Sequence, residues 1–115
     1  MKILVVDDEL PICDLLYEFL SLQGYQVTTA TNGREAISKF EENCPDVVIL
    51  DIRMPEMNGI EVLQKIKEID SNAKVIMLSA FGDSKTIEKA LQMGASYYME
   101  KPLEFDRLMK ILNAL

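Results

Sequence analysis

Val47-Val48-Ile49-Leu50-Asp51-Ile52-Arg53-Met54-Pro55 is the stretch on which the fold turns. Four apolar residues, three of them β-branched, run straight into one carboxylate, and a proline stops the run soon after. A short apolar run bounded by turn signals reads as a strand buried on both faces. Such a strand belongs in a parallel sheet covered by helices on either side. Ligands of these sheets bind outside the carboxyl ends of the strands. Asp51 lies at such an end, so the rest of the chain can be read by asking what reaches it.

Working outward, Lys2 to Val6 is an apolar strand ending in Asp7-Asp8-Glu9. Pro11 suits the first turn of a helix. Ile12, Leu15, Leu16, Phe19 and Leu20 repeat there at helical spacing, and Gly24 is a C-terminal stop. Tyr25 to Ala30 is a polar, alternating strand suited to a sheet edge. Asn32 with Glu35 resembles a capping box before Ala36, Ile37 and Phe40. Cys44-Pro45 ends that helix. Past Asp51, Asn58 with Glu61 opens a helix that directs Ile60, Leu63, Ile66 and Ile69 inward. Lys74 to Leu78 is a buried strand ending in Ser79-Ala80. Gly82-Asp83-Ser84 forms a loop and cap, and Ile87, Ala90 and Leu91 line a helix ending at Gly94. Ser96 to Glu100 is a short strand ending in Lys101-Pro102. Phe105, Leu108, Ile111, Leu112 and Leu115 form a last amphipathic helix. Strands and helices that alternate with short connections predict an α/β fold, a doubly wound five-stranded parallel sheet of order 2-1-3-4-5 with five helices.

Composition narrows the function. The 115 residues are expected to form a single domain spanning 1–115, with 49% hydrophobic residues to fill its core. A net charge of −7, from 19 acids against 12 bases, argues against direct nucleic-acid binding and against an anionic membrane surface. No apolar run approaches a membrane span or forms a signal peptide, so the expected location is cytoplasmic. Cys13 and Cys44 lack metal or redox spacing and read as reduced small hydrophobes.

In an open parallel sheet the strand ends are neighbours. The first strand delivers Asp7 and Asp8, the third Asp51, the fourth Ser79 and the fifth Lys101. Taken singly, each has a plain reading: Asp7-Asp8 as a helix cap, Asp51 as a turn residue, Ser79 as a backbone-bonded hydroxyl. Taken jointly, their arrival in order at one edge points to a site. Three crowded carboxylates raise one another's pKa unless a cation intervenes. A hard divalent ion such as Mg²⁺ takes oxygen ligands, uses one or two carboxylates and keeps waters and phosphate for the rest. A carboxylate facing a metal, a lysine and a hydroxyl can accept a phosphoryl group.

The stretches Ile3-Leu4-Val5-Val6-Asp7-Asp8-Glu9, Pro45-Asp46 through Met54-Pro55, Asn58-Gly59, Met77-Leu78-Ser79-Ala80, Gly94-Ala95 and Lys101-Pro102 together resemble a receiver domain of the two-component response regulators, of the chemotaxis-regulator or single-domain phosphorelay type. The resemblance covers essentially the whole chain. It implies a phosphoacceptor signalling domain rather than a turnover enzyme, with Asp51 taking a phosphoryl group from the phosphohistidine of a sensor histidine kinase or a histidine phosphotransfer protein. It implies Mg²⁺, with Mn²⁺ as a substitute, on Asp8, Asp51 and the main-chain carbonyl of Arg53, with Asp7 helping. It implies that Ser79 and Lys101 bind phosphoryl oxygens and that the bond before Pro102 is cis. Ser79 and Tyr98 would form the switch pair, with Tyr98 exposed in the unphosphorylated state. The face from Ser84 through Leu115 would meet a downstream effector or a fused output domain, and can also serve a homodimer in this family. The first helix and Leu103-Glu104-Phe105 would meet the kinase. Arg53 and Phe81 would tune the loss of the phosphoryl group, with Phe81 screening water.

The chain has no histidine, so any phosphohistidine donor lies elsewhere. Three rivals stand beside this reading. A haloacid-dehalogenase-type phosphatase wants a second Asp where Arg53 stands. A flavodoxin-like cofactor binder wants a phosphate loop where Asp7-Asp8-Glu9 would repel phosphate. The third is a receiver-shaped interaction module that is not phosphorylated, against which the intact acids and Lys101 speak.

Overall fold

The computed structural model describes residues 1–80 and 84–115. Five strands alternate with five helices: β1 (Lys2–Val6), α1 (Leu10–Leu22), β2 (Gln26–Ala30), α2 (Gly33–Asn43), β3 (Val47–Asp51), α3 (Gly59–Ile69), β4 (Lys74–Ser79), α4 (Ser84–Gln92), β5 (Tyr97–Glu100) and α5 (Phe105–Ala114). All pairings are parallel, and the order is β2-β1-β3-β4-β5. The expected α/β architecture is therefore observed. The polar second strand does lie at an edge. β2 and β5 each begin one residue later than the pattern suggested, at Gln26 and Tyr97.

The sheet separates two cores. Leu4, Val6, Val48, Leu50, Val75 and Met77 face α2, α3 and α4, where they meet Phe40, Val62, Leu63, Ile66 and Ile87. Ile3, Val5, Val47, Ile49, Ile76 and Leu78 face α1 and α5, where they meet Leu16, Leu20, Leu108, Ile111 and Leu112. Consecutive strand residues point to opposite faces, so an uninterrupted apolar run feeds both layers. Each fully buried aliphatic side chain contributes about 1.5–3 kcal/mol. Phe19 of α1 stacks on Phe105 of α5 with ring centroids 4.1 Å apart, tying the two helices together.

The helix faces depart from the sequence reading at three places. Leu15 is exposed, and the inward face of α1 is Cys13, Leu16 and Leu20. In α3 the buried apolar side chains are Val62, Leu63 and Ile66, whereas Ile69 in the last turn is exposed. In α4, Ile87 and Ala90 are buried but Leu91 is exposed. A helix on a flat sheet buries a narrow stripe, and apolar residues at its margin stay in water.

The caps do match. Asn32 Oδ1 accepts from the Glu35 N–H at 2.8 Å, and Asn58 Oδ1 from the Glu61 N–H at 3.0 Å. Each satisfies an orphan donor of a helix start. The Asn58 cap matters most here, because it fixes α3 directly behind the end of β3.

Candidate functional site

Two strand ends bring the acids together. The apolar run of β1 stops at Asp7, whose N–H pairs with the Ala30 carbonyl of β2 at 3.1 Å. Asp7 is fully buried, Asp8 beside it is exposed, and Asp51 at the end of β3 is 4% exposed. One carboxylate oxygen from each lies within 4.8 Å of the others. Lys101 follows directly on β5. Its N–H bonds the Ser79 carbonyl at 2.8 Å, which aligns the exits of β4 and β5. The peptide bond between Lys101 and Pro102 is cis, as the resemblance implied.

A glycine lets α3 approach this edge. A Cβ on Gly59 would stand 2.3 Å from the Asp51 carbonyl oxygen and 2.7 Å from Ile52 Cα. Its N–H instead donates to the Ile52 carbonyl at 2.7 Å. Together with the Asn58 cap, this pins both ends of the loop that carries Arg53, Met54 and Pro55. The Arg53 N–H reaches Asp51 Oδ1 at 3.4 Å.

Charge in the pocket is unbalanced. The Lys101 ammonium lies 3.1 Å from Asp7 Oδ2, 3.2 Å from Glu9 Oε2 and 3.5 Å from Asp51 Oδ2. One cation thus serves three carboxylates, and Asp8 adds a fourth acid. Asp7 Oδ1 accepts the Glu9 N–H at 2.9 Å, but the buried Oδ2 accepts no well-formed hydrogen bond. The charge that meets this buried oxygen is the Lys101 ammonium at 3.1 Å, which Glu9 and Asp51 also share. Burial pushes the Asp51 carboxyl up to about 7, the Asp7 charge adds to that, and Lys101 and the Arg53 N–H pull it back. Burial likewise raises Asp7, against the Glu9 N–H and the Lys101 ammonium. For Lys101, burial acts downward, but Asp7, Asp51 and Glu9 outweigh it and hold the ammonium above its ordinary value. Three carboxylate oxygens within 4.8 Å of one another, with a single ammonium shared among Asp7, Asp51 and Glu9, suit a hard divalent cation.

The remaining candidates lie around this centre. Ser79 is buried at the end of β4, and its hydroxyl donates to the Met99 carbonyl of β5 at 3.3 Å. Tyr98 on β5 is exposed, at the rim of a groove of about 320 Å³ that Lys101, Glu104 and Arg107 also line. Phe81 lies outside the described residues. Two contributors escaped the sequence reading. Glu9 was read as part of an acidic run but holds Lys101; its adjacency to Asp7-Asp8 was the available signal. Cys13 was read as a plain hydrophobe. It is that, but its Sγ also donates to the Asp7 carbonyl at 3.2 Å, and burial with the nearby Asp7 charge pushes the thiol up to about 11.

Comparison with known proteins agrees with this geometry. Residues 3–113 match the family described as response regulator receiver domain. The chain is 42% identical over 113 residues to chemotaxis protein CheY of Thermotoga maritima, covering 97% of this chain and 94% of that one. It superposes on a response regulator receiver domain protein from Clostridium thermocellum with a TM-score of 0.94 and 37% identity, covering 98% of this chain and 91% of that one. It superposes on a chain of the CheX-CheY-BeF3-Mg+2 complex from Borrelia burgdorferi with a TM-score of 0.92 and 34% identity, covering 99% of this chain and 87% of that one. Among the described residues, no helix is long and apolar enough to cross a membrane. Edge, sheet order and relatives converge: the chain belongs to the response regulator receiver domains of two-component signalling.

Proposed function

We propose that this receiver accepts a phosphoryl group on Asp51 from a phosphohistidine of a sensor histidine kinase or histidine phosphotransfer protein. The observation that carries the reading is the buried Asp51 carboxylate, 3.5 Å from the Lys101 ammonium and beside Asp7 and Asp8. Asp8, Asp51 and the Arg53 main-chain carbonyl would hold Mg²⁺, or Mn²⁺ in its place, with Asp7 alongside. When bound, the ion supplies positive charge to the transferring phosphoryl oxygens. The Borrelia burgdorferi complex contains Mg²⁺, which supports the same choice of ion here.

An Asp51 carboxylate oxygen forms the new bond to phosphorus as the phosphorus–nitrogen bond of the donor breaks. The electron pair of that bond stays with the imidazole. Lys101 neutralises charge on the group that arrives, and the burial of Asp51 limits bulk water at the carboxylate. The Ser79 hydroxyl leaves the Met99 carbonyl for a phosphoryl oxygen. That move frees space beside β5 for Tyr98, whose exposed position belongs to the unmodified form. The face formed by α4, β5 and α5 then carries the change to an effector or a fused output domain. The whole is a shift between two packings, biased by a new charge and its hydrogen bonds.

The test is intact mass after incubation with acetyl phosphate, with and without Mg²⁺, on wild type and Asp51→Asn. A phosphoryl-sized gain that needs Mg²⁺ and is lost in the variant supports acceptor and ion together. A wild type that gains nothing, from acetyl phosphate or from a phosphorylated kinase, would be an interaction module instead.

A further inference from the structure

We infer that Glu9 is a positioning residue that holds the Lys101 ammonium at the rim of the pocket and competes with an incoming phosphoryl group for it. The inference deepens the phosphoacceptor reading of Asp51 and rests on it for its functional consequence.

Three observations carry it. First, Lys101 is shared, with Glu9 Oε2 at 3.2 Å as near as Asp7 Oδ2 at 3.1 Å and nearer than Asp51 Oδ2 at 3.5 Å. Second, Glu9 is fixed in place by its backbone. Its N–H donates to Asp7 Oδ1 at 2.9 Å, and its carbonyl accepts from the N–H groups of Ile12 and Cys13 at 3.0 and 3.3 Å. It stands at the N-cap of α1, yet its side chain makes no capping hydrogen bond, so the carboxylate is committed to the lysine instead. Third, the partners differ in setting. The Glu9 side chain is 57% exposed, whereas those of Asp7 and Asp51 are 0% and 6%. Glu9 therefore draws the ammonium outward while the two aspartates draw it inward. Phosphoryl oxygens on Asp51 need that charge, and the Glu9 contact must be given up to supply it. A partly exposed ion pair is weak enough to be exchanged and strong enough to slow the exchange measurably.

The test compares wild type, Glu9→Gln and Glu9→Asp. Selective ¹³C-lysine labelling reads the Lys101 Cε–Hε resonance, assigned with Lys101→Arg, in protein never exposed to a phosphodonor. The initial rate of mass gain from acetyl phosphate with Mg²⁺ reads the consequence. In that assay Asp51 gains the phosphoryl group and acetate leaves with the electron pair of the broken bond. The Lys101 resonance is expected to move in both variants while other lysines stay fixed. Both variants are expected to gain mass about threefold faster than wild type, with unchanged thermal midpoints. Glu9→Asp keeps the charge but lacks the reach. If it retains the wild-type rate while Glu9→Gln is fast, simple repulsion at the pocket mouth explains the gain and the tether is overturned. An unmoved Lys101 resonance, or variants no faster than wild type, overturns it as well. If wild type gains no mass from acetyl phosphate or from a kinase, the phosphoacceptor reading fails, and the resonance alone decides whether Glu9 holds the lysine.

Discussion

The two ends of the sheet carry the same kinds of residue and treat them in opposite ways. At the amino edge, the exposed carboxylate of Asp46 accepts the Lys2 N–H at 2.7 Å, and the Asp46 N–H returns a bond to the Lys2 carbonyl at 2.8 Å. The Lys2 ammonium caps the Asn43 carbonyl at 3.4 Å. Charges there sit in water with their bonds made. At the carboxyl edge, Asp7 and Asp51 are buried, and with Glu9 they share one ammonium. The same strands connect both edges, so strand geometry does not explain the difference. Burial does. Aspartate in water is a surface tie worth little, whereas aspartate out of water is a stored demand for positive charge.

That contrast can be broken from either end. The largest expected effect is Asp51→Asn, which should abolish the Mg²⁺-dependent mass gain while leaving a folded protein. Gly59→Ala comes next. A methyl 2.3 Å from the Asp51 carbonyl oxygen forces α3 away from β3, and urea denaturation should show a loss of about 3 kcal/mol. The third effect concerns pH. The Asp51 carboxyl is pushed up to about 7, well above the roughly 3.9 of an unfolded aspartate. The native state therefore binds the proton more tightly than the unfolded chain does. The cost of the buried charge is fully present above pH 7 and fades as the pH falls through that value. Metal-free protein should melt at a higher temperature at pH 6 than at pH 8, and no histidine titrates in that window. Asp51→Asn should remove most of the difference, and saturating Mg²⁺ should shrink it. The smallest effect belongs to the amino edge. Asp46→Asn should cost less than about 1 kcal/mol in denaturant and leave the phosphorylation rate unchanged.

Sheet order and strand ends were legible because they depend on coarse patterns. The run from Val47 to Leu50 can only be buried on both sides, and alternation with helical repeats leaves few topologies. The caps at Asn32 and Asn58 were legible because a side-chain oxygen three residues before an amide is a local event. What escaped depends on distance through space. Nothing in the spacing of α1 says that Cys13 rather than Leu15 faces the sheet, since both fit a helical repeat. Only burial in the core layer that also holds Val5 and Leu108 selects it. Glu9 looked like one more acid in a run, and its lysine lies 92 residues away. The close approach of Gly59 needs the backbone of β3 in place before a methyl becomes unacceptable.

The stacked pair Phe19–Phe105 bears on the order in which the chain can mature during synthesis. β1 and α1 emerge early, and β1 finds β2 within the next few residues. The layer on the α1 side of the sheet also contains Ile76, Leu78 and Met99, and Leu108, Ile111 and Leu112 of α5 complete it. Until the ribosome has released α5, those strand residues and the inner face of α1 lie open to water and to neighbouring nascent chains. Contacts this remote in sequence form late. A chain stalled before Phe105 would thus present a nearly finished sheet with one greasy face, a natural client for a holdase chaperone and a poor candidate for productive release.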